Sequence, residues 1–222
     1  MGLKALLFDV DGTLAETEEL HRKAFNEAFK DAGLDWHWDF ELYQVLLGVT
    51  GGKERILYHV QREGLDEAIF TIYVRFMDEG QIELRPGIAE LIKDARAGGV
   101  RLAVTTTTSQ VNVERLLNAT LGKEALSWFE VYATGDRVSR KKPDPAIYLL
   151  ALSELGLEAG DCLAIEDAPQ GLASSLGAGI ATIVTESSYS AGKDFDGALK
   201  IYKMDDPRPT LAELQVFVEA SS

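Results

Sequence analysis

Near its start the chain reads Ala5-Leu6-Leu7-Phe8-Asp9-Val10-Asp11-Gly12-Thr13, an apolar run that ends in two carboxylates two residues apart. The run predicts a buried strand, and Gly12-Thr13 lets the backbone turn away from it. An unpaired buried charge is unstable, so such a pair needs a cation, a hydrogen-bond network or a reaction to justify it. This stretch therefore predicts a chemical site at the end of the first strand.

The rest of the chain from residue 86 onward alternates strand and helix patterns. Apolar runs without clean alternation lie at 4–9, 100–106, 128–134, 161–166, 180–185 and 198–203. Such runs are typical of parallel strands covered on both faces. Helical patterns between them begin at Pro86 and Pro145 and end at Gly98-Gly99 and Gly156, and a third covers about 170–176. The pattern predicts an α/β fold with a doubly wound, mostly parallel sheet.

Residues 15–85 interrupt this alternation, because no strand pattern appears between the first strand and residue 100. Helical patterns follow one another instead, at about 17–32, 39–47, 53–63 and 66–80. We predict an α-helical cap domain at 16–85, inserted into a core domain made of 1–15 and 86–222. The aromatic segment Trp36-His37-Trp38 is interpreted as core of the insert rather than as a platform for a sugar.

Composition excludes several classes of partner. The 222 residues carry a formal net charge of −14, which argues against binding to nucleic acid or to an anionic membrane. A small phosphorylated ligand stays compatible, since a few focused cations outweigh a distant acidic surface. The sequence has no apolar run long enough for a membrane helix and no leader pattern, and its lone Cys162 suits a reducing compartment. We expect a monomeric cytoplasmic protein.

Polar residues follow three later strand patterns, namely Thr105-Thr106-Thr107-Thr108-Ser109, Lys142-Pro143 and Glu166-Asp167. Ligands bind at the carboxyl ends of the strands in open α/β sheets, so these segments should meet the first one. Carboxylates are the ligands that Mg²⁺ prefers, and a lysine with a hydroxyl loop suits phosphoryl oxygens. The four segments together predict Mg²⁺-assisted phosphoryl transfer with a carboxylate as nucleophile.

In order and spacing, these segments resemble the four motifs of the haloacid dehalogenase (HAD) superfamily of phosphotransferases, and the resemblance covers the whole chain. It implies a HAD-type Rossmannoid core with a helical cap. It also implies that Asp9 is the nucleophile and a Mg²⁺ ligand, and that Asp11 is the general acid and base, with its carbonyl on the metal. The remaining implied roles are metal binding by Asp167 and Glu166, and binding of the transferring phosphoryl group by Thr106, the Thr107 amide and Lys142.

Two segments of the insert, Glu16-Thr17-Glu18-Glu19-Leu20-His21 and Thr50-Gly51-Gly52-Lys53-Glu54-Arg55, resemble the CbbY-like phosphatases, relatives of β-phosphoglucomutase. This resemblance implies a sugar bisphosphate substrate such as xylulose 1,5-bisphosphate. The substrate-binding residues that it implies are Glu18, His21, Gly51, Gly52, Lys53 and Arg55, with Arg75 near the place where relatives often have a lysine.

Two other functions stay open. A sugar-phosphate mutase of the β-phosphoglucomutase type would use the same residues and return the phosphoryl group to the sugar. A catalytically silent sugar-phosphate-binding protein would use the fold alone, although the intact Asp9 and Asp11 pair argues against it. Thr13-Leu14 stands where a calcium loop of the EF-hand type needs an Asp or Asn and a glycine, so that interpretation is excluded.

Overall fold

The computed structural model describes residues 2–31, 33–63 and 83–220. The chain forms two compact units, one made of Met1–Glu16 with Ile82–Ser222 and the other of Thr17–Gln81. The first unit contains strands β1 (Ala5–Phe8), β2 (Arg101–Thr105), β3 (Val131–Ala133), β4 (Cys162–Glu166), β5 (Ala181–Thr185) and β6 (Lys200–Tyr202). The second contains helices α1 (Glu18–Asp31), α2 (Phe40–Leu46) and α3 (Gly52–Glu63).

Four helices of the first unit lie between its strands along the chain, namely α4 (Ile88–Ala97), α5 (Gln110–Leu121), α6 (Ala146–Leu155) and α7 (Pro169–Gly177). Helix α8 (Leu211–Ala220) follows β6. Gly156 adopts a left-handed conformation and its N–H bonds the last turn of α6, so the helix ends there as predicted. Pro169 occupies the first turn of α7, where its missing N–H is not needed.

The six strands form one parallel sheet in the order β3-β2-β1-β4-β5-β6. The chain moves from β1 outward to β2 and β3, then returns to the other side of β1 for β4, β5 and β6. The strand order therefore reverses at β1, and such a switch point is where open α/β sheets bind ligands. Phe8, the last residue of β1, lies in register with Val104 on one side and Ile165 on the other.

The hydrophobic core lies on both faces of this sheet. Leu6 and Phe8 of β1 point to one face, where they join buried residues of α4, α5 and α8, whereas Ala5 and Leu7 point to the other, against α6. Burial on both faces explains why the strands read as continuous apolar runs instead of alternating. It also fixes the register, because a slip of one residue would exchange the two faces.

The helical unit has an aromatic core of its own. Trp38 is fully buried, and its ring centroid lies 4.6 Å from that of Phe25 and 4.9 Å from that of Phe29. Tyr43 of α2 packs on the same indole at 5.8 Å. Asp39 caps α2, since its side chain accepts a hydrogen bond from the N–H of Leu42 at 2.8 Å. The interpretation of Trp36-His37-Trp38 as core is thereby confirmed for Trp38, whereas Trp36 is only partly buried and His37 is exposed.

The predicted fold class is confirmed, and each of the six predicted strands is present with bounds within a few residues. The first three predicted helices of the insert are also present, whereas the fourth, at 66–80, lies outside the described residues. Helix α8 was missed by the sequence analysis. Within the part of the chain that the structure describes, no helix has the length and apolar character needed to cross a bilayer.

Candidate active site

The parallel sheet brings the predicted motifs to its carboxyl edge. Asp9 follows β1 directly, and its N–H donates to the carbonyl of Ile165 in β4 at 3.0 Å. Thr106 follows β2, and its N–H donates to the carbonyl of Ala133 at 3.0 Å. Glu166 is the last residue of β4. The carboxyl ends of β2, β1 and β4, which are consecutive in the sheet, therefore lie at one edge, as a parallel sheet requires.

Three carboxylates meet at this edge. Asp9, Glu166 and Asp167 each offer an oxygen atom within 4.8 Å of the others, and all three side chains are buried. Asp11 lies in the turn that leaves β1 and is only partly buried. In this turn the N–H of Gly12 donates to the carbonyl of Ala15 at 2.8 Å. Asp11 is therefore more accessible to solvent than the three buried carboxylates.

Lys142 provides the positive charge among these carboxylates. Its Nζ lies 2.7 Å from Oδ1 of Asp9, 2.6 Å from Oε1 of Glu166 and 2.9 Å from the carbonyl of Thr105. The three hydrogens of an ammonium group therefore all have acceptors on the protein. The peptide bond to Pro143 is cis. The Lys142 ammonium ties the ends of β1, β2 and β4 together.

Burial governs the protonation of the cluster. It raises the pKa of Asp9, with the Asp11 charge adding to the effect and Lys142 opposing it. Burial also raises the pKa of Glu166 to about 7, against the lowering effect of Lys142. For Lys142 burial lowers the pKa, but the charges of Asp9 and Glu166 outweigh it and leave the pKa well above the ordinary value. The lysine is charged, and the carboxylates compete for a proton or another cation.

Two residues of the site were missed by the sequence analysis. The hydroxyl of Tyr148, in α6, donates a short hydrogen bond to Oε1 of Glu166, and the centroid of the Tyr148 ring lies 5.4 Å from Nζ of Lys142. The hydroxyl of Ser187, in the loop after β5, donates to Oδ2 of Asp167 at 2.7 Å. Neither carries a sequence signal, because Tyr148 lies in an apolar helix and Ser187 in an ordinary polar loop.

The hydroxyl loop after β2 presents its donors at the same edge. Thr106 is buried, and its Oγ1 accepts a hydrogen bond from the N–H of Thr108 at 3.2 Å. This contact uses an oxygen lone pair and leaves the hydroxyl hydrogen to donate. Thr107 is only partly buried. The loop suits an anion with several oxygens.

The helical unit brings together three of the residues predicted to bind substrate. Nη1 of Arg55 donates to the hydroxyl of Tyr43 at 2.7 Å, and Oε2 of Glu18 lies 3.2 Å from that hydroxyl and 4.0 Å from Nη1. Nδ1 of His21 lies 3.9 Å from the same Glu18 oxygen. Gly51 and Gly52 lie at the start of α3. Arg75 and the side chain of Lys53 lie outside what the structure describes.

The residues of the core unit fit a divalent metal ion. Asp9, Glu166 and Asp167 offer hard oxygen ligands, which is the set that Mg²⁺ prefers. Three buried carboxylates against the single ammonium of Lys142 leave two negative charges, and a divalent cation would balance them.

Comparison with known proteins gives a consistent result. A family model described as haloacid dehalogenase-like hydrolase matches residues 3–179. The protein CbbY of Rhodobacter capsulatus is 51% identical over 208 residues, which cover 89% of this chain and 92% of the relative. A phosphorylated carbohydrates phosphatase of Thermotoga maritima is 30% identical over 222 residues, which cover 96% of this chain and all of the relative (100%).

A solved structure is similar over almost its whole length. It is the crystal structure of a CbbY variant from Rhodobacter sphaeroides in complex with xylulose 1,5-bisphosphate, with a TM-score of 0.88 and 47% sequence identity. The match covers 96% of this chain and 99% of that one.

Proposed function

Because the chain belongs to the haloacid dehalogenase-like hydrolase family and is a phosphatase, we propose that it removes one phosphate from a sugar bisphosphate such as xylulose 1,5-bisphosphate. The observation that carries this proposal is the buried Asp9 carboxylate, 2.7 Å from the Lys142 ammonium and beside Glu166 and Asp167. The similarity to the CbbY variant of Rhodobacter sphaeroides, which was crystallised in complex with xylulose 1,5-bisphosphate, supports the choice of sugar.

The first step is attack of Asp9 on phosphorus. One carboxylate oxygen of Asp9 forms a bond to the phosphoryl group, and the bond from phosphorus to the sugar oxygen breaks. Asp11 gives its proton to the departing oxygen, so that the sugar leaves as an alcohol. The hydroxyl of Thr106 and the amide of Thr107 bind the phosphoryl oxygens as charge develops on them.

The second step hydrolyses the aspartyl phosphate. Asp11, now ionised, takes a proton from water, and the resulting oxygen attacks phosphorus and releases the Asp9 carboxylate. Lys142 bonds one oxygen of Asp9, and its charge stabilises the carboxylate that departs in this step.

We assign Asp9, Glu166, Asp167 and the backbone carbonyl of Asp11 as the residues that would hold Mg²⁺. A bound Mg²⁺ neutralises part of the negative charge on the transferring phosphoryl group and its neighbours. The cluster of three carboxylate oxygens within 4.8 Å supports this assignment.

We assign the choice of sugar to residues 16–85, as a cap domain. Glu18, His21 and Arg55 lie together in the helical unit, which supports a polar recognition cluster for the sugar and its second phosphate. Gly51, Gly52, Lys53 and Arg75 stay in the proposal on the strength of the sequence resemblance alone.

A panel of phosphorylated sugars tests the proposal. Phosphate release should be fastest with a pentulose bisphosphate, should stop with EDTA and should return when Mg²⁺ is added. Asp9→Asn should lose activity, because an amide is a poor nucleophile. Turnover that EDTA leaves unchanged, or an active Asp9→Asn variant, would contradict the mechanism, and isomerised sugar phosphate without net phosphate release would favour the mutase.

The covalent intermediate can be located directly. Acid quenching during turnover, followed by borohydride reduction, should convert the acyl phosphate at Asp9 to homoserine, which peptide mass spectrometry detects. A homoserine at another position, or none in an enzyme that is turning over, would exclude Asp9 as the nucleophile. A silent binding protein would bind the bisphosphate and form no such product.

A further inference from the structure

The loop after β5 contains a hydroxyl group aimed at one of the candidate metal ligands. Ser187 is 1% exposed, and its hydroxyl donates to Oδ2 of Asp167 at 2.7 Å. The hydroxyl of Ser190 lies 3.0 Å from that of Ser187, and its oxygen also accepts the Ser187 N–H at 2.9 Å. Since a serine has one hydroxyl hydrogen and Asp167 takes it, Ser190 donates to Ser187. The Ser187 hydroxyl therefore has a fixed direction.

A glycine also packs closely against the same carboxylate. Gly12 has a φ of +85°, and a Cβ atom at this position would lie 2.2 Å from Oδ2 of Asp167. Only a residue without a side chain leaves room for the carboxylate at this distance. Oδ2 of Asp167 is thus in close contact both with the backbone at Gly12 and with the hydroxyl of Ser187.

One buried arginine bonds the backbone of both segments, the turn at Gly12 and the loop before Ser187. Arg85 is 4% exposed, and its guanidinium donates to the carbonyls of Gly12, Thr185 and Glu186, the second of them at 3.0 Å. Nε of Arg85 also lies 3.2 Å from Oε1 of Glu16. The planar fork of a guanidinium reaches several acceptors at once, whereas a lysine offers a single point charge. Arg85 fixes the turn after β1 relative to the loop that contains Ser187.

We propose that Ser187 and Arg85 are positioning residues that hold the Asp167 carboxylate in the orientation needed for the metal ion. This inference rests on the proposed function, because it takes Asp167 to be a metal ligand. Groups that hydrogen-bond to a metal-ligating side chain orient that side chain, and their loss commonly weakens metal affinity or activity by about 10- to 100-fold. Ser187 acts by a direct hydrogen bond, and Arg85 acts by fixing the two backbone segments that contact this carboxylate.

Mg²⁺ binding to the EDTA-treated full-length protein tests the proposal by calorimetry, independently of turnover. Ser187→Ala and Arg85→Lys should each raise the Kd for Mg²⁺ by about 10- to 100-fold. The double variant should lose less than the product of the two, since both act through one carboxylate. Ser175→Ala is the matched control, because Ser175 is also a buried serine with hydrogen bonds, to Leu172 and Thr182, and should leave the Kd unchanged.

An isosteric pair separates the hydrogen bond from the shape of the side chain. Ser187→Thr keeps the hydroxyl and Ser187→Val has the same shape without it, so the Thr variant should bind Mg²⁺ about 10- to 100-fold more tightly. Equal Kd values for this pair, or values for Ser187→Ala and Arg85→Lys equal to that of the wild type, would overturn the inference while leaving the proposed function intact. A wild-type protein that binds no Mg²⁺ and ignores EDTA would overturn both.

Discussion

At the scale of single residues, the site is governed by the imbalance between its buried charges. Lys142 lies within 2.7 Å of Asp9 and 2.6 Å of Glu166, yet one ammonium cannot neutralise both carboxylates and Asp167 as well. Removing one partner of a buried ion pair leaves an uncompensated charge, and the free-energy cost of that charge is far larger than the stabilisation that the pair provides. The imbalance therefore predicts that protons and divalent cations compete for the same carboxylate oxygens.

This competition predicts how pH affects metal binding. Burial raises the pKa of Glu166 to about 7, so we expect this proposed metal ligand to become increasingly protonated as pH falls through 7, and the proton must leave before Mg²⁺ binds. The Kd for Mg²⁺ should therefore rise as pH falls below 7, by up to about tenfold for each pH unit when one proton is released. Calorimetry from pH 6 to pH 8, in buffers of different ionisation enthalpy, measures both the Kd and the proton release.

Two variants identify the group responsible. Glu166→Gln should remove most of this pH dependence, because an amide does not titrate in this range. Tyr148→Phe removes a hydrogen bond that lowers the pKa of Glu166, so the pH at which Mg²⁺ affinity declines should move upward. A pH dependence that both variants leave unchanged would assign the proton to another group, such as Asp9.

At the scale of elements, helix α7 begins directly beyond the site and its first turn packs against Glu166. Gly171 makes this packing possible, because a Cβ atom there would lie 1.7 Å from Oε2 of Glu166. Gly177, at the end of the same helix, has ordinary surroundings, since its Cβ would lie 3.4 Å from the side chain of Pro145. The two glycines thus offer a comparison within one helix.

Gly171→Ala should displace the Glu166 carboxylate and reduce kcat/KM for the preferred sugar phosphate on the order of 100-fold, because small errors of position at a reacting site have effects of this size. It should also lower the free energy of unfolding by about 1–3 kcal/mol, through overpacking. Gly177→Ala should keep both quantities near the wild-type values or raise stability slightly, since alanine favours the helix. Urea unfolding and steady-state kinetics measure them, and equal behaviour of the two variants would contradict the role of Gly171.

The elements are also where prediction from sequence succeeds and where it stops. Strands such as β1 and β4 can be predicted from sequence because burial on both faces requires continuous apolar runs. The ends of α4 and α6 can be predicted because glycine commonly ends a helix, as Gly98 and Gly156 do here. The contacts that orient the site are different in kind. Ser187 bonds a residue 20 positions away and Arg85 reaches residues 73 and 101 positions away, so only the folded sheet brings them together.

At the scale of the whole molecule, every candidate metal ligand belongs to the unit made of Met1–Glu16 and Ile82–Ser222. Ligand binding stabilises the folded state by about 2.7 kcal/mol at a concentration of 100 times Kd. For a chain of this length, each kcal/mol raises Tm by roughly 2–4 °C, so saturating Mg²⁺ should raise Tm by about 5–10 °C. Calorimetric scans with Mg²⁺ or EDTA at equal ionic strength measure the shift.

Hydrogen exchange locates the effect within the chain. Mg²⁺ should slow exchange in β1, β4 and the loop around Ser187, and leave α1 to α3 nearly unchanged, because the candidate ligands lie in the first unit alone. Asp167→Asn should abolish both the Tm shift and the protection. Protection centred on the helical unit instead would place the metal ion away from Asp9, Glu166 and Asp167.

The helical unit, by contrast, is expected to determine which sugar phosphate is hydrolysed. Arg55 is buried there, 2.7 Å from the hydroxyl of Tyr43 and 4.0 Å from Glu18, and its guanidinium suits a second phosphate. Arg55→Lys should therefore lower kcat/KM for a pentulose bisphosphate, relative to that for p-nitrophenyl phosphate, by about tenfold or more, since a hydrogen bond to a charged group contributes about 1.5–3 kcal/mol. Arg62→Lys is the matched control, because Arg62 lies on the same helix, exposed and beside Glu63. Equal losses on both substrates would show that Arg55 stabilises the helical unit without selecting the sugar.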